Sequence, residues 1–242
     1  MGRIADILAG FEKLPKAGLQ TILQGRKPMI LAPHPDDESL GCGGLIAAAC
    51  AAGTPPLVII LTDGSASHPD SKLFPPHRLA EIREQETLQA TRLLGLPGQN
   101  LHFFRQPDSR LAAGGDFEAL VRHAATLGEQ QGCKLVIGPW HGDPHCDHEA
   151  TAGIAAAVAL RCSWPLLSYP VWGWLRDPDS AFEEPRKTGW RLDISEYLPC
   201  KRRAIAAHVS QYGELIPDSP LGFRLPQNLL SIFERPFEVF IG

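Results

Sequence analysis

Seven residues, Pro56-Leu57-Val58-Ile59-Ile60-Leu61-Thr62, form an unbroken apolar and β-branched run with none of the alternation of a half-exposed strand. A strand of this composition is stable only when both of its faces are covered, as in a parallel sheet held between layers of helix. Residues 27–32 and 134–139 read the same way, and 100–105 as another strand. Segments of helical length lie between these runs. Residues 40–52 are rich in alanine, with Gly41, Gly43 and Gly44 near the start. Residues 76–95 close on Gly95, 116–131 are capped by Asp116 and stopped by Gly132, and 149–160 are again alanine-rich. Strands alternating with such helices predict an α/β fold of βαβ units, with a mostly parallel sheet flanked by helices. Residues 166–172 and 188–194 are read as further strands and 199–209 as helix. The alternating residues 233–241 are read as an edge strand in a C-terminal extension. Residues 1–24 read as an amphipathic helix, and the proline-rich stretches 68–76 and 217–226 as surface loops.

The 242 residues suit one large domain or a domain with an appended lobe, and they are read as one domain spanning 1–242. A net charge of −4 leaves no basic footprint, so no nucleic-acid partner is expected. No apolar run approaches the roughly 20 residues of a membrane helix. The N-terminus mixes Arg3, Asp6, Glu12, Lys13 and Lys16 into its apolar positions, unlike an export signal, so a cytoplasmic location is expected. The six cysteines show no CxxC spacing, and most read as reduced core residues.

In open parallel sheets, ligands sit outside the carboxyl ends of the strands. Two such ends carry histidines and carboxylates: Pro33-His34-Pro35-Asp36-Asp37-Glu38, and His141-Gly142-Asp143-Pro144-His145-Cys146-Asp147-His148. Topology predicts that both reach one rim although they are far apart in sequence. Pro35 fixes its own φ near about −65° and drives His34 toward an extended conformation, so His34 ends a strand while Asp36 and Asp37 enter a turn. Adjacent side chains diverge, so one carboxylate can share a metal with His34 while the other faces a substrate. Catalytic zinc takes three histidine or carboxylate ligands and leaves a position for water. His34, Asp37 and one of His141, His145 and His148 make such a set, with Asp147 placed to orient an imidazole from behind. The competing structural reading is that Asp36 or Asp37 merely caps the next helix. Two histidines and a carboxylate also form the facial triad of non-haem iron oxygenases, but the strand–helix alternation argues against that class. The absence of Gly-x-Ser-x-Gly argues against a serine hydrolase, and Gly41-Cys42-Gly43-Gly44 has the wrong spacing for a dinucleotide site.

These motifs resemble the PIG-L/LmbE-like family of metal-dependent N-acetylglucosaminyl deacetylases, which carries a His-Pro-Asp-Asp-Glu turn after its first strand and a later His-x-Asp-His. Other similar stretches are Leu61-Thr62-Asp63-Gly64, Arg83-Glu84-Gln85-Glu86, Leu94-Gly95, Asp108 and His208-Val209-Ser210-Gln211, so the likeness covers most of the chain. It departs at Pro33, where the family has alanine, and at Cys146, which often corresponds to proline. Neither departure removes a ligand, although Cys146 sets a thiol beside the metal. The resemblance implies a Rossmann-like, LmbE-like fold and Zn2+, or Fe2+, held by His34, Asp37 and His148. It implies Asp36 as general base, His145 as stabiliser of the oxyanion, and Arg83 and Asp108 as substrate-binding residues. The expected reaction is removal of the acetyl group from an N-acetylglucosamine-type amino sugar or glycoconjugate, and relatives often form homo-oligomers. The alternatives are hydrolysis of a non-sugar N-acyl amide and a metal-containing binding protein without turnover. Trp140, Trp172 and Trp174 offer faces for a sugar ring, with core or rim packing as the competing reading. His68, His77, His102, His123 and His208 are read as solvent-facing or locally satisfied.

Overall fold

The chain begins with strand β1 (Gly2–Arg3), helix α1 (Ile4–Glu12), strand β2 (Lys16–Ala17) and helix α2 (Leu19–Leu23) in a computed structural model that describes residues 1–111, 116–185, 188–213 and 215–242. The N-terminal region is therefore two short helices and not the single amphipathic helix expected. Pro15 cannot supply the N–H that a continuing helix needs, and its carbonyl accepts the Arg191 N–H instead.

The alternating part follows as β3 (Lys27–Ala32), α3 (Asp37–Ala51), β4 (Leu57–Thr62), α4 (Pro76–Leu93), β5 (Leu101–Gln106), α5 (Phe117–Gln130), β6 (Cys133–Pro139), α6 (Cys146–Cys162) and β7 (Leu166–Tyr169). The remaining elements are β8 (Ala181–Phe182), β9 (Gly189–Asp193), α7 (Leu198–Ala206), α8 (Val209–Tyr212), α9 (Gln227–Phe233) and β10 (Phe237–Ile241). The main sheet runs β2-β9-β10-β7-β6-β3-β4-β5, and its β7-β6-β3-β4-β5 block is wholly parallel. Side chains of β3, β4 and β6 alternate between two cores, as the two-residue period of a strand requires. Ile30, Val58, Ile60 and Ile137 pack with Leu40 and Leu45 of α3, Ala90 of α4 and Ala204 of α7. Met29, Leu31, Leu57, Ile59 and Val136 pack with Val121 of α5 and Ile154 and Val158 of α6 on the other face. Burial on both faces explains the unbroken apolar runs.

The helix ends follow local chemistry. The Asp116 side chain accepts the Ala119 N–H at 2.9 Å and caps α5. Gly95, at φ +81°, lets the Leu96 N–H close α4 onto the Thr91 carbonyl. Gly41 is required by packing: a Cβ there would lie 2.1 Å from the Tyr169 ring, so α3 seats closely on the sheet.

The last strand corrects the expectation of an edge. β10 lies inside the sheet, antiparallel to both β7 and β9, with Val239, Phe240 and Ile241 buried. Its alternation comes from Glu238, whose carboxylate is buried rather than solvated. It accepts the Gly44 and Leu45 N–H groups at 2.6 and 2.8 Å and pairs with the Lys201 ammonium at 2.7 Å. The edges are β2 and β5. Because β3 and β6 are neighbours and parallel, the two His/Asp clusters emerge side by side at one rim. No helix among the described residues is long and apolar enough to cross a membrane.

Candidate metal centre and its cleft

His34 leaves the end of β3 and Asp37 opens α3, while His148 lies in the first turn of α6. The Asp37 Oδ2 atom is 3.2 Å from His34 Nδ1 and 3.2 Å from His148 Nε2. The far side of each imidazole is bound to a carboxylate. His34 Nε2 is 3.1 Å from Asp147 Oδ2 and 3.4 Å from Asp108 Oδ1, and His148 Nδ1 is 2.9 Å from Asp143 Oδ2. These partners assign the ring protons to the outer nitrogens. When each ring carries a single proton, the inner nitrogens present lone pairs, and buried His148 Nε2 has no hydrogen-bond partner. Three potential ligand atoms, Asp37 Oδ2 and the two imidazole nitrogens that face it, thus converge on one place.

A cation bound there would satisfy all three. Ligand distances of about 2.0–2.2 Å put tetrahedral zinc ligands roughly 3.3–3.6 Å apart, and each imidazole nitrogen lies 3.2 Å from Asp37 Oδ2. Histidine ligands backed by carboxylates are the usual support of such sites. The residues present therefore fit a zinc-type ion. The charge balance agrees. Burial acts against charge on every member, yet the imidazoles hold Asp37 well below the usual carboxylate range. Burial lowers the His148 pKa, but Asp37 and Asp143 outweigh it and push it up to about 9. The carboxylates around the two imidazoles thus favour positive charge at this place. His145 also brings a ring nitrogen within 4.8 Å of those of His34 and His148.

Asp36 stands beside this group and lines the cleft. Its backbone has φ +127°, a conformation that L residues rarely adopt and that costs about 1–3 kcal/mol. Burial pushes its carboxyl up to about 7, against the opposing charge of Arg83. Arg83, on α4, donates to Asp36 Oδ2 at 3.1 Å, to the Gly64 carbonyl at 2.9 Å and to the Pro35 carbonyl at 2.5 Å. Gly64 sits at φ +67°, and a Cβ there would fall 2.5 Å from the guanidinium. Arg83 borders the cleft, but these donors face protein atoms.

His145 is the N-cap residue of α6 and receives the Asp147 N–H on Nδ1 at 3.2 Å, which leaves Nε2 to carry the proton. Burial lowers its pKa, and the nearby imidazoles lower it further, so the ring is neutral. Asp147 accepts the Ser109 and Leu111 N–H groups at 2.7 and 3.0 Å besides contacting His34. It ties the loop after β5, including Asp108, to the centre. Asp108 also accepts the Ala66 N–H at 2.9 Å. Burial and Asp147 raise the exposed Cys146 thiol and keep it protonated. His141 is not in this group; its ring lies against Phe182, with Nδ1 3.9 Å from Glu184.

The cleft holds about 550 Å³ and opens to solvent. Ser67 and Gln211 contribute polar groups, and Trp172 and Phe223, edge to face at 5.4 Å, form an apolar wall. Of the three tryptophans considered, only Trp172 lines it. Trp140 is fully buried against Phe11 and Phe182, and Trp174 packs on Phe11 and Arg235. Aromatic type marks apolar surface without revealing depth.

Sequence reasoning assigned no role to Asp143, although it lies in the second cluster. It also misplaced His208, which is fully buried and contacts Glu38 at 3.2 Å across 170 positions. A third acid in the first motif, Glu38, was the available signal.

The family model for PIG-L, described as GlcNAc-PI de-N-acetylase, matches residues 29–159, which span β3 through most of α6. The chain is 28% identical over 198 residues to the probable N-acetyl-alpha-D-glucosaminyl L-malate deacetylase 2 of Bacillus anthracis, covering 80% of this chain and 84% of that protein. It is 28% identical over 196 residues to the diacetylchitobiose deacetylase of Thermococcus kodakarensis, covering 78% and 71%. Among solved structures, the conserved protein TT1542 of Thermus thermophilus superposes with a TM-score of 0.58 at 26% identity, covering 79% of this chain and 82% of that one.

Proposed function

The chain belongs to the PIG-L family, and on that premise we propose that it is a metal-dependent hydrolase that removes the acetyl group from an N-acetylglucosamine-type amino sugar or glycoconjugate. We read residues 1–242 as one such domain, since strands from both ends of the sequence join one sheet. One observation carries the reading. His34 Nδ1, Asp37 Oδ2 and His148 Nε2 converge with their proton-bearing sides turned away, and Asp36 stands beside them on the cleft wall. The names of the two deacetylase relatives support the reaction class.

His34, Asp37 and His148 would hold Zn2+ or Fe2+, which when bound would supply Lewis-acid polarisation of the acetyl carbonyl and acidify the attacking water. The chain's own groups do the rest. Asp36, with its carboxyl pushed up to about 7, is matched to taking a proton from water and returning it to the leaving amine near neutral pH. Arg83 keeps that carboxylate partly ionised and points it into the cleft. His145 presents Nε2–H to the oxygen that becomes negative, a contact of the type worth roughly 100- to 1,000-fold in rate. Trp172 and Phe223 cover an apolar face of the sugar. We assign Asp108 to a sugar hydroxyl, and Arg83 to Asp36 ahead of the sugar.

The test combines metal analysis of the purified protein with acetate release from a panel of N-acetylglucosamine conjugates, before and after chelation. Chelator-sensitive acetate release is expected. Protein that holds stoichiometric metal but releases no acetate from any N-acetyl amino sugar refutes the proposal.

A further inference from the structure

The peptide between Pro35 and Asp36 is gripped at both ends. Arg83 Nη2 donates to the Pro35 carbonyl, and Glu38 Oε2 accepts the Asp36 N–H at 3.0 Å. This is the peptide that leads into the positive-φ residue Asp36. A strained turn persists only where its surroundings over-determine it. Glu38 itself, and the helix that carries Arg83, are held from the C-terminal part of the chain. Glu38, fully buried, accepts Ser39 Oγ at 2.7 Å on Oε1, where His208 Nε2 also lies at 3.2 Å. Glu86, one turn along α4 from Arg83, accepts the Ser210 N–H and Oγ–H at 2.7 Å each. His208 immediately precedes α8, and Ser210 lies within it. One short segment thus braces both helices that clamp the turn.

We propose that Glu38 and His208, together with the Ser210–Glu86 pair behind Arg83, are positioning residues that lock the Pro35–Asp36 peptide so that the Asp36 carboxylate faces the cleft. The proposal rests on the assignment of Asp36 as the base. The competing structural reading is that Glu38 only caps α3, a variant of the capping box in which an acid of the first turn reaches back to the N-cap N–H. The two readings differ in what they affect. A cap supports the fold, and its loss moves melting temperature, metal content and KM along with turnover. A positioning contact moves kcat alone.

The experiment compares the metal-loaded wild type with His208→Ala and His208→Gln. The glutamine amide nitrogen can still donate to Glu38 from about the place of Nε2. For His208→Ala, kcat is expected to fall about 10- to 100-fold, the usual effect of losing such an outer contact, with KM and metal stoichiometry unchanged. His208→Gln is expected to recover most of the loss. Unchanged kcat in His208→Ala overturns the proposal. So does a joint fall of kcat, metal content and melting temperature that glutamine does not rescue. Where His208→Ala does not accumulate as folded protein, His208→Asn, too short to reach Glu38, gives the same readout. Should the wild type itself release no acetate from the panel, the proposed function fails separately. The positioning claim is then read from crystals of His208→Ala, in which residue 36 is expected to leave positive φ; an unchanged turn overturns it.

Discussion

Asp143→Asn separates the support of the metal centre from its ligands. The Asp143 carboxylate is fully buried and accepts from His148 Nδ1 at 2.9 Å and from the Val171 and Gly173 N–H groups at 2.9 and 2.7 Å. An asparagine has one acceptor oxygen for these donors, and its amide must place a hydrogen toward one of them. The two backbone N–H groups cannot change their protonation, so the oxygen turns to them and the amide N–H turns to His148 Nδ1. The imidazole then carries its proton on Nε2, the atom 3.2 Å from Asp37 that should bind the ion. The ligand is present but in the wrong tautomer. Losing such an outer partner weakens metal binding by about 10- to 100-fold, or about 1.4–2.8 kcal/mol. The backbone bonds survive, so the metal-free protein should lose only about 1–2 kcal/mol of stability. Competition of the protein with a metallochromic chelator gives the affinity, and urea melts of the metal-free protein give the stability. A variant that binds zinc within twofold of wild type refutes both the tautomer argument and the placement of His148 in the ligand set.

Further outcomes follow from the same geometry. Asp36→Asn should retain its metal and lose roughly 100- to 10,000-fold in kcat; near-normal turnover rejects Asp36 as the base. In the metal-free fold the Asp36 carboxyl is pushed up to about 7, against 3.8 when free. The folded state therefore binds more protons between these values, and this stabilising contribution is present below about pH 4 and lost as pH rises through about 7. Asp36→Asn should flatten that slope in melts of the metal-free protein, and an unaltered slope contradicts the shift. His148, pushed up to about 9, should surrender its proton to an entering metal, so zinc affinity rises with pH toward about 9. Calorimetry in buffers of different ionisation enthalpy should show proton release near neutral pH, and none would count against the cage. Trp172→Ala should raise KM roughly 2- to 10-fold at unchanged melting temperature. Trp140→Ala should instead destabilise the fold by about 3–5 kcal/mol without a specific KM effect, and the reverse pattern would invalidate the placement of the cleft wall.

What the sequence reveals depends on whether a residue's partner is local. The double-faced strands are legible because burial on both sides removes polar residues from the run itself, as in Leu57–Leu61. The meeting of the two clusters is legible because adjacent parallel strands end on the same side. Strand β10 was misread because Glu238 looks like a solvent-facing position, and its partners Gly44, Leu45 and Lys201 lie far away in sequence. The support of the site was hidden for the same reason. No spacing rule links His208 to Glu38, or Ser210 to Glu86, because these pairs exist only after α7 and α8 pack against α3 and α4. Asp147 was expected behind one of the second-cluster imidazoles, but it bonds His34, 113 positions away. Charge type and local period show which residues are available for chemistry; the fold decides which of them face each other.

The proposed function requires a single ion shared by the end of β3, the start of α3 and the first turn of α6. Anomalous diffraction from crystals of the metal-loaded protein locates it directly. The prediction is a single strong peak about 2.0–2.2 Å from His34 Nδ1, Asp37 Oδ2 and His148 Nε2. Stoichiometric metal whose peak lies instead at Cys146 or His141, away from Asp37, would contradict it.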